Sequence, residues 1–132
     1  MIVGFNIDSI EADKGQGANE NIQVNYQPKI EEVSRESVNA LEEEVAKIDF
    51  EFAVNYTAGG REVAHITMSG NILWKGQLED ILESWDENGA LPEEVNKPLL
   101  NEMYQKLLSE AVGVANTLNL LPPIPTPRVQ DQ

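Results

Sequence analysis

Apolar residues recur at every second position through the first half of the chain and at helical spacing after Gly76. Phe5 and Ile7 open the alternating series, and Ile22, Val24 and Tyr26 follow. Ile48, Phe50, Phe52, Val54 and Tyr56 come next, then Ala64, Ile66, Met68, Gly70, Ile72 and Trp74. Alternation of this kind turns one face of each strand inward. The pattern predicts strands at about Ile2–Glu11, Ile22–Val33, Ile48–Thr57 and Glu62–Lys75. Leu78, Ile81, Leu82 and Trp85 then follow the i, i+3, i+4, i+7 rule, so Gln77–Glu87 reads as a short amphipathic helix, stopped by Asn88-Gly89. Pro98 fits the first position of a long helix running to about Asn119, because its missing N–H costs nothing there. Strands first and helices last make an α+β layout built on a four-stranded sheet.

The interruptions are equally informative. Ile10 breaks the alternation of the first strand by one step, which predicts a bulge or twist. Asp13–Asn21, with Gly15 and Gly17, reads as a polar connection. Pro28 cannot donate a ladder hydrogen bond, so the second strand lies at an edge or bends there. Ser34–Glu44 fits either a strand running into a loop or a short acidic helix. Ala58-Gly59-Gly60-Arg61 is a hairpin turn. Gly70-Asn71 marks a bulge or bend in the fourth strand. The stretch from Leu121 to Val129 is too rich in proline for helix or central strand and is expected to be extended.

The long helix carries more apolar surface than one sheet needs. Leu99, Leu100, Met103, Tyr104, Leu107, Leu108, Ala111, Val112, Val114, Ala115 and Leu118 cover well over half of a helical projection, where a stripe suffices. Either the helix is buried between its own sheet and the short helix, or its second face meets the same helix of another subunit. The second reading makes Leu100, Met103, Leu107, Ala111 and Val114 a self-complementary interface. Trp74 and Trp85 also have two readings, as core residues or as the lining of a groove for apolar side chains.

Composition narrows the partners. The 132 residues suit one domain, and 9 Lys+Arg against 23 Asp+Glu give a net charge of -14. Such a surface repels nucleic-acid backbones and anionic membranes. Cysteine is absent, which removes disulfides and thiolate chemistry. Neither a signal peptide nor a run of roughly 20 apolar residues is present, so the expected setting is cytoplasmic, without membrane insertion.

Catalytic signals are weak. His65, the one histidine, falls on the polar side of its strand beside Thr67 and Ser69. Glu42, Glu43 and Glu44 read as solvated carboxylates. Gly15-Gln16-Gly17 lacks the rest of a dinucleotide fingerprint. The acidic clusters lack the spacing of a calcium loop. No catalytic residue, metal or cofactor is expected.

Four local patterns coincide with one family. Phe5-Asn6-Ile7-Asp8-Ser9-Ile10 resembles the opening strand of the bacterial export chaperone SecB. Tyr26-Gln27-Pro28-Lys29-Ile30 resembles its aromatic-Gln-Pro segment. Gly70-Asn71-Ile72-Leu73 resembles the end of its fourth strand, and Leu118-Asn119-Leu120-Leu121-Pro122-Pro123 the stretch after its long helix. They occur in family order and span residues 5 to 123. The resemblance implies a Greek-key four-stranded sheet with C-terminal helices, assembled as a dimer of dimers, that holds unfolded chains in apolar grooves without ATP. The acidic residues by which that family docks its export ATPase have no counterpart here. The matching strand position is Ile66, and the loop after the first strand offers Lys14 and Ala18.

The expected function is therefore an ATP-independent holdase for unfolded or nascent polypeptides, working as a homodimer or homotetramer. Tyr26, Ile72, Trp74, Trp85 and Tyr104 are the candidate groove lining. Met68 and Met103 are side chains that repack easily. The alternative is a non-catalytic adaptor that docks a partner through its Pro-rich tail. A small-ligand enzyme is the third reading and requires an apolar pocket with converging carboxylates.

Overall fold

A computed structural model describes residues 1–15 and 22–120. Four strands, β1 (Ile2–Lys14), β2 (Gln23–Val38), β3 (Glu43–Ala58) and β4 (Arg61–Trp74), precede two helices, α1 (Leu78–Asn88) and α2 (Glu93–Leu118). The sheet is antiparallel with order β1-β4-β3-β2. Three hairpin-linked strands with the first returned beside the last form a Greek key. Gly59 and Gly60, at φ 62° and 77°, supply the two left-handed residues of the tight β3–β4 turn.

Apolar residues line up in rows across one face. The rows are Arg35–Ala46–Trp74–Ile2, Val33–Ile48–Ile72–Phe5, Ile30–Phe50–Gly70–Ile7, Pro28–Phe52–Met68–Ile10 and Tyr26–Val54–Ile66–Ala12. Both edge strands keep in phase with the centre only by bulging, β1 at Val3 and Asp8 and β2 at Glu31. The one-step slip before Ile10 is therefore a bulge, and Pro28 does lie on an edge strand. Asn6 Nδ2 donates to Asn71 Oδ1 at 3.2 Å and Asn71 Nδ2 to Asp8 Oδ2 at 3.4 Å, which ties the bulge down on the polar face. Gly70 itself stays in register with Phe50. It is glycine because the β1 backbone crosses its face: a Cβ there would collide with the Asn6 carbonyl and approach Ile7 Cα to 2.9 Å.

The ambiguous Ser34–Glu44 segment divides. β2 continues to Val38, and a single 3-10 turn at Asn39–Leu41 leads through Glu42, at φ 51°, into β3. α1 lies over β2 and β3, anchored by fully buried Ile81, and α2 lies over β1 and β4.

α2 starts earlier than its proline suggested. Pro92 precedes it, and its carbonyl accepts from the N–H groups of Val95 (2.9 Å) and Asn96 (2.8 Å), so Pro98 stands inside the helix. Fully buried Val95 explains the earlier start, since the first turn has its own anchor in the core. Pro98 removes one ladder donor, and its ring is solvent-exposed. At the other end Asn119 adopts φ 58°, and the Leu120 N–H reaches the Ala115 carbonyl at 2.8 Å. This left-handed stop turns buried Leu120 back onto the core.

The α2 surface differs from its projection. Val95, Leu99, Met103, Leu107, Leu108, Ala111 and Ala115 are buried under the sheet. Lys97, Asn101, Gln105, Ser109, Gly113 and Thr117 form an exposed polar stripe on the far side. Each i, i+4 step turns about 40° further round a helix, so one winding stripe looks like a broad arc when projected. The second apolar face is thus mostly the first one, drifting.

Two outcomes follow from this packing. Gly70→Ala is expected to lower the unfolding free energy by about 1–3 kcal/mol in a urea titration, because the β1 backbone must move. Burial pushes the Tyr56 hydroxyl up to about 12, with Tyr26 adding to the shift. The folded state therefore holds this proton more tightly than the unfolded chain does. Its contribution is whole below pH ~10 and is lost as pH rises through about 12. The urea midpoint should fall more steeply across that window than in Tyr56→Phe.

Candidate functional site

A cleft of about 470 Å³ separates β2 from α1. Val33 and Arg35 line it from the strand, and Glu79, Leu82, Glu83, Trp85 and Asp86 from the helix. It exists because α1 is short and held at few points. Ile81 enters the core, while Leu82 and Trp85, on the same apolar stripe, stay half-buried against it. The helix ends where Gly89, at φ 66°, returns its N–H to the Trp85 carbonyl at 2.8 Å. Ser84 Oγ donates to the Ala90 carbonyl at 2.7 Å and fixes the exit turn.

The electrostatics are one-sided. Arg35 is the one base lining the cleft, and both arms of its guanidinium are engaged. Nη1 meets Glu44 Oε1 at 2.9 Å and Nη2 meets Glu79 Oε2 at 3.0 Å, so β2, β3 and α1 are pinned together. The hydrogen bond with Glu44, then that with Glu79, holds Arg35 above its ordinary pKa. Glu83 and Asp86 remain as uncompensated carboxylates on the helix side, above apolar Leu82 and Trp85. The arrangement suits a ligand that combines apolar side chains with positive charge. It contains no nucleophile with an adjacent base.

An aromatic chain runs from the β2 edge towards α2. Tyr26 stacks on Phe52 with centroids 6.5 Å apart, and Phe52 meets Tyr104 edge-on at 5.8 Å. Phe5 and Phe50, from the strands on either side of β4, meet edge-on at 5.5 Å.

The five residues expected to line one groove are dispersed. Trp85 borders the β2–α1 cleft. Tyr26 and Tyr104 are joined through Phe52, half-exposed beyond it. Trp74 sits at the opposite side of the sheet, beside the start of β1. Ile72 is a correction: it is fully buried beneath the helices, one row in from Trp74, and cannot meet a client. The proposed subunit interface is corrected as well. Met103, Leu107 and Ala111 are 0% exposed within one protomer because they face its own sheet. Leu100 and Val114 are half-buried on the flanks of α2. The large apolar side chains that are exposed among the described residues lie elsewhere, Met1 at 69% and Ile10 at 45%, at the start and middle of edge strand β1. Phe5, Ile7 and Ile10 border a second cleft of about 420 Å³ beneath Lys106 and Glu110 of α2.

No protein-family model and no curated protein matches the sequence. A solved structure is similar in fold: the Rv1957 SecB-like chaperone of Mycobacterium tuberculosis in complex with a ChAD peptide from the Rv1956 HigA1 antitoxin. The superposition covers 100% of this chain and 91% of that one, with a TM-score of 0.60 at 12% sequence identity. The fold is SecB-like. The four sequence stretches that resemble SecB each fall on an irregularity of this SecB-like fold. They are the Asp8 bulge, the Pro28 edge, the Gly70 crossing and the Asn119 helix stop.

Sequence reasoning missed the cleft residues Val33, Arg35, Leu82 and Glu79. One signal was available, because Arg35 is a lone base within the acidic run from Glu31 to Glu44. It also missed Ile10 as exposed and Phe5 and Ile7 as only half-covered, since alternation reports which face a residue takes and not whether anything covers it. The Pro-rich stretch after Leu120, and with it the adaptor reading, lies outside the described residues. Among the described residues no His, Cys, Asp or Glu cluster could hold a metal ion, and no helix is long and apolar enough to cross a membrane.

Proposed function

We propose that this protein is an ATP-independent polypeptide-binding chaperone that holds unfolded or nascent segments in the β2–α1 cleft. The observation that carries the reading is the cleft itself, with half-buried Leu82 and Trp85 beneath the unpaired carboxylates of Glu83 and Asp86. An extended chain entering it buries apolar side chains at about 1.5–3 kcal/mol each. Lysine or arginine neighbours on that chain meet the acidic helix face. Overall charge keeps a loaded complex soluble. The similar mycobacterial chaperone, captured with a peptide, supports a polypeptide as the ligand class.

Assembly into a homo-oligomer is part of the same proposal, and the unpartnered hydrocarbon favours β1 as its seat. Residues Ile2–Ile7 form an apolar edge with unpaired backbone groups, flanked by Met1 and Ile10. Two antiparallel copies of such an edge are self-complementary about a two-fold axis. The opposite edge, β2, carries Pro28 and Lys29, both of which deter pairing.

Three measurements test the proposal. The protein should suppress aggregation of an unfolded client stoichiometrically without nucleotide, and Trp85→Ala should weaken binding of a basic, apolar peptide by at least about tenfold. Unchanged affinity in that variant would remove the cleft from the account. Light scattering should give a dimer or tetramer, and Ile10→Lys should reduce it to a single chain while leaving the circular dichroism spectrum intact. A parent protein already monomeric at working concentration contradicts the assembly.

A further inference from the structure

The cleft between β2 and α1 already holds a guanidinium, that of its own Arg35. Glu79, Glu83 and Asp86 stand at i, i+4 and i+7 on α1, so one side of the helix brings all three to the cleft. Arg35 Nη2 donates to Glu79 Oε2 at 3.0 Å and to Oε1 at 3.3 Å. Glu83 and Asp86 have no ion-pair partner among the described residues. Arg35 therefore shows, from inside the chain, how this wall receives a basic side chain.

Two observations make that contact exchangeable. The side chains of Arg35 and Glu79 are 41% and 75% exposed, and ion pairs so open to water are weak. The other arm of the guanidinium, Nη1, is held by Glu44 Oε1 at 2.9 Å. Releasing Glu79 therefore does not leave Arg35 unpaired. Arg35 is also the one base in the lining, so an incoming lysine or arginine competes with it alone. An uncharged apolar segment does not compete, and meets Leu82 and Trp85 with the Arg35–Glu79 pair closed beside it. We propose that Arg35 sets the charge specificity of the cleft as an internal placeholder: it holds Glu79 while the cleft is empty, and a basic residue of the client takes its place as the guanidinium falls back on Glu44. The inference rests on the cleft being the holding site. It makes Arg35 a competitor of basic clients, whereas a residue that only props the walls would be missed by every client alike.

The test is calorimetric titration of the full-length protein with two amidated peptides. One alternates leucine with arginine, and the other carries citrulline for arginine, which keeps the shape without the charge. Arg35→Gln should bind the arginine peptide about fivefold more tightly, the upper range for an exposed pair, and the citrulline peptide as the parent does. Adding Glu79→Gln to that variant should remove the gain. Arg61→Gln makes the same change of net charge at the exposed β3–β4 turn, and should alter neither affinity. Weaker binding of both peptides by Arg35→Gln would make Arg35 a mere prop and overturn the proposal. Equal tightening of both, or no change for the arginine peptide, overturns it as well. A second measurement leaves the chain unaltered. The nitrogen-15 signal of the Arg35 guanidinium, assigned with Arg35→Lys, should shift on saturation with the arginine peptide and stay in place with the citrulline one; a signal that ignores the arginine peptide is a refutation. Trp85→Ala separates the two readings. If it weakens both peptides while Arg35→Gln fails to discriminate, the cleft stands and the placeholder falls; if it weakens neither, both fall.

Discussion

The sheet is longer than the helices that cover it. β2 and β3 have 16 residues each and extend about 50 Å at ~3.3 Å per residue. α1, with 11 residues, extends only about 16 Å at ~1.5 Å per residue, and α2, with 26, about 39 Å. The middle of the apolar face is sealed by α2, and Phe50, Phe52, Ile66, Met68 and Ile72 are all essentially inaccessible. The shortfall is felt at the margins. Val24, Tyr26 and Ile30 on β2 and Phe5 and Ile7 on β1 are only half-covered, and Ile10 is bare. Along β3 and β4 the inward residues stay buried from Ala46 to Tyr56 and from Ala64 to Trp74, so both clefts and the exposed edge lie where the sheet is wider than the helix layer. A protein whose ligands are other polypeptides can use such margins, whereas a self-sufficient monomer gains nothing from them.

The central hairpin was the most legible part of the sequence. β3 and β4 alternate cleanly because one face is sealed and the other is wet, and that contrast is written residue by residue. The edges were legible through their faults: the slip before Ile10 announced the Asp8 bulge, and Pro28 announced an outer strand. Helix α2 was legible in kind but not in extent. Proline propensity argued for a start at Pro98, while packing of Val95 extended the helix back to Glu93, a tertiary effect that local rules do not contain. The site was the least legible. Buried Ile72, Met103, Leu107 and Ala111 look the same in sequence as residues left uncovered, because hydrophobicity records what a side chain prefers and not what the fold provides for it.

At 12% identity the likeness to the mycobacterial structure is a likeness of backbone. In this chain the backbone makes its own geometric demands. A strand must bulge at Asp8 to keep phase, a backbone must cross at Gly70, and a helix must stop at Asn119 so that Leu120 can return to the core. Each demand is met by a residue with a physical reason to be there.

The asymmetry between the two margins of the sheet limits how large any pairing can grow. β1 offers an open ladder. β2 interrupts its own with a proline ring at position 28, whereas extra residues occur on both borders, at Val3 and Asp8 of β1 and at Glu31 of β2. A chain with two receptive borders would stack without end into a ribbon. A chain with one receptive border can satisfy it only once, and what results is a finite, capped particle.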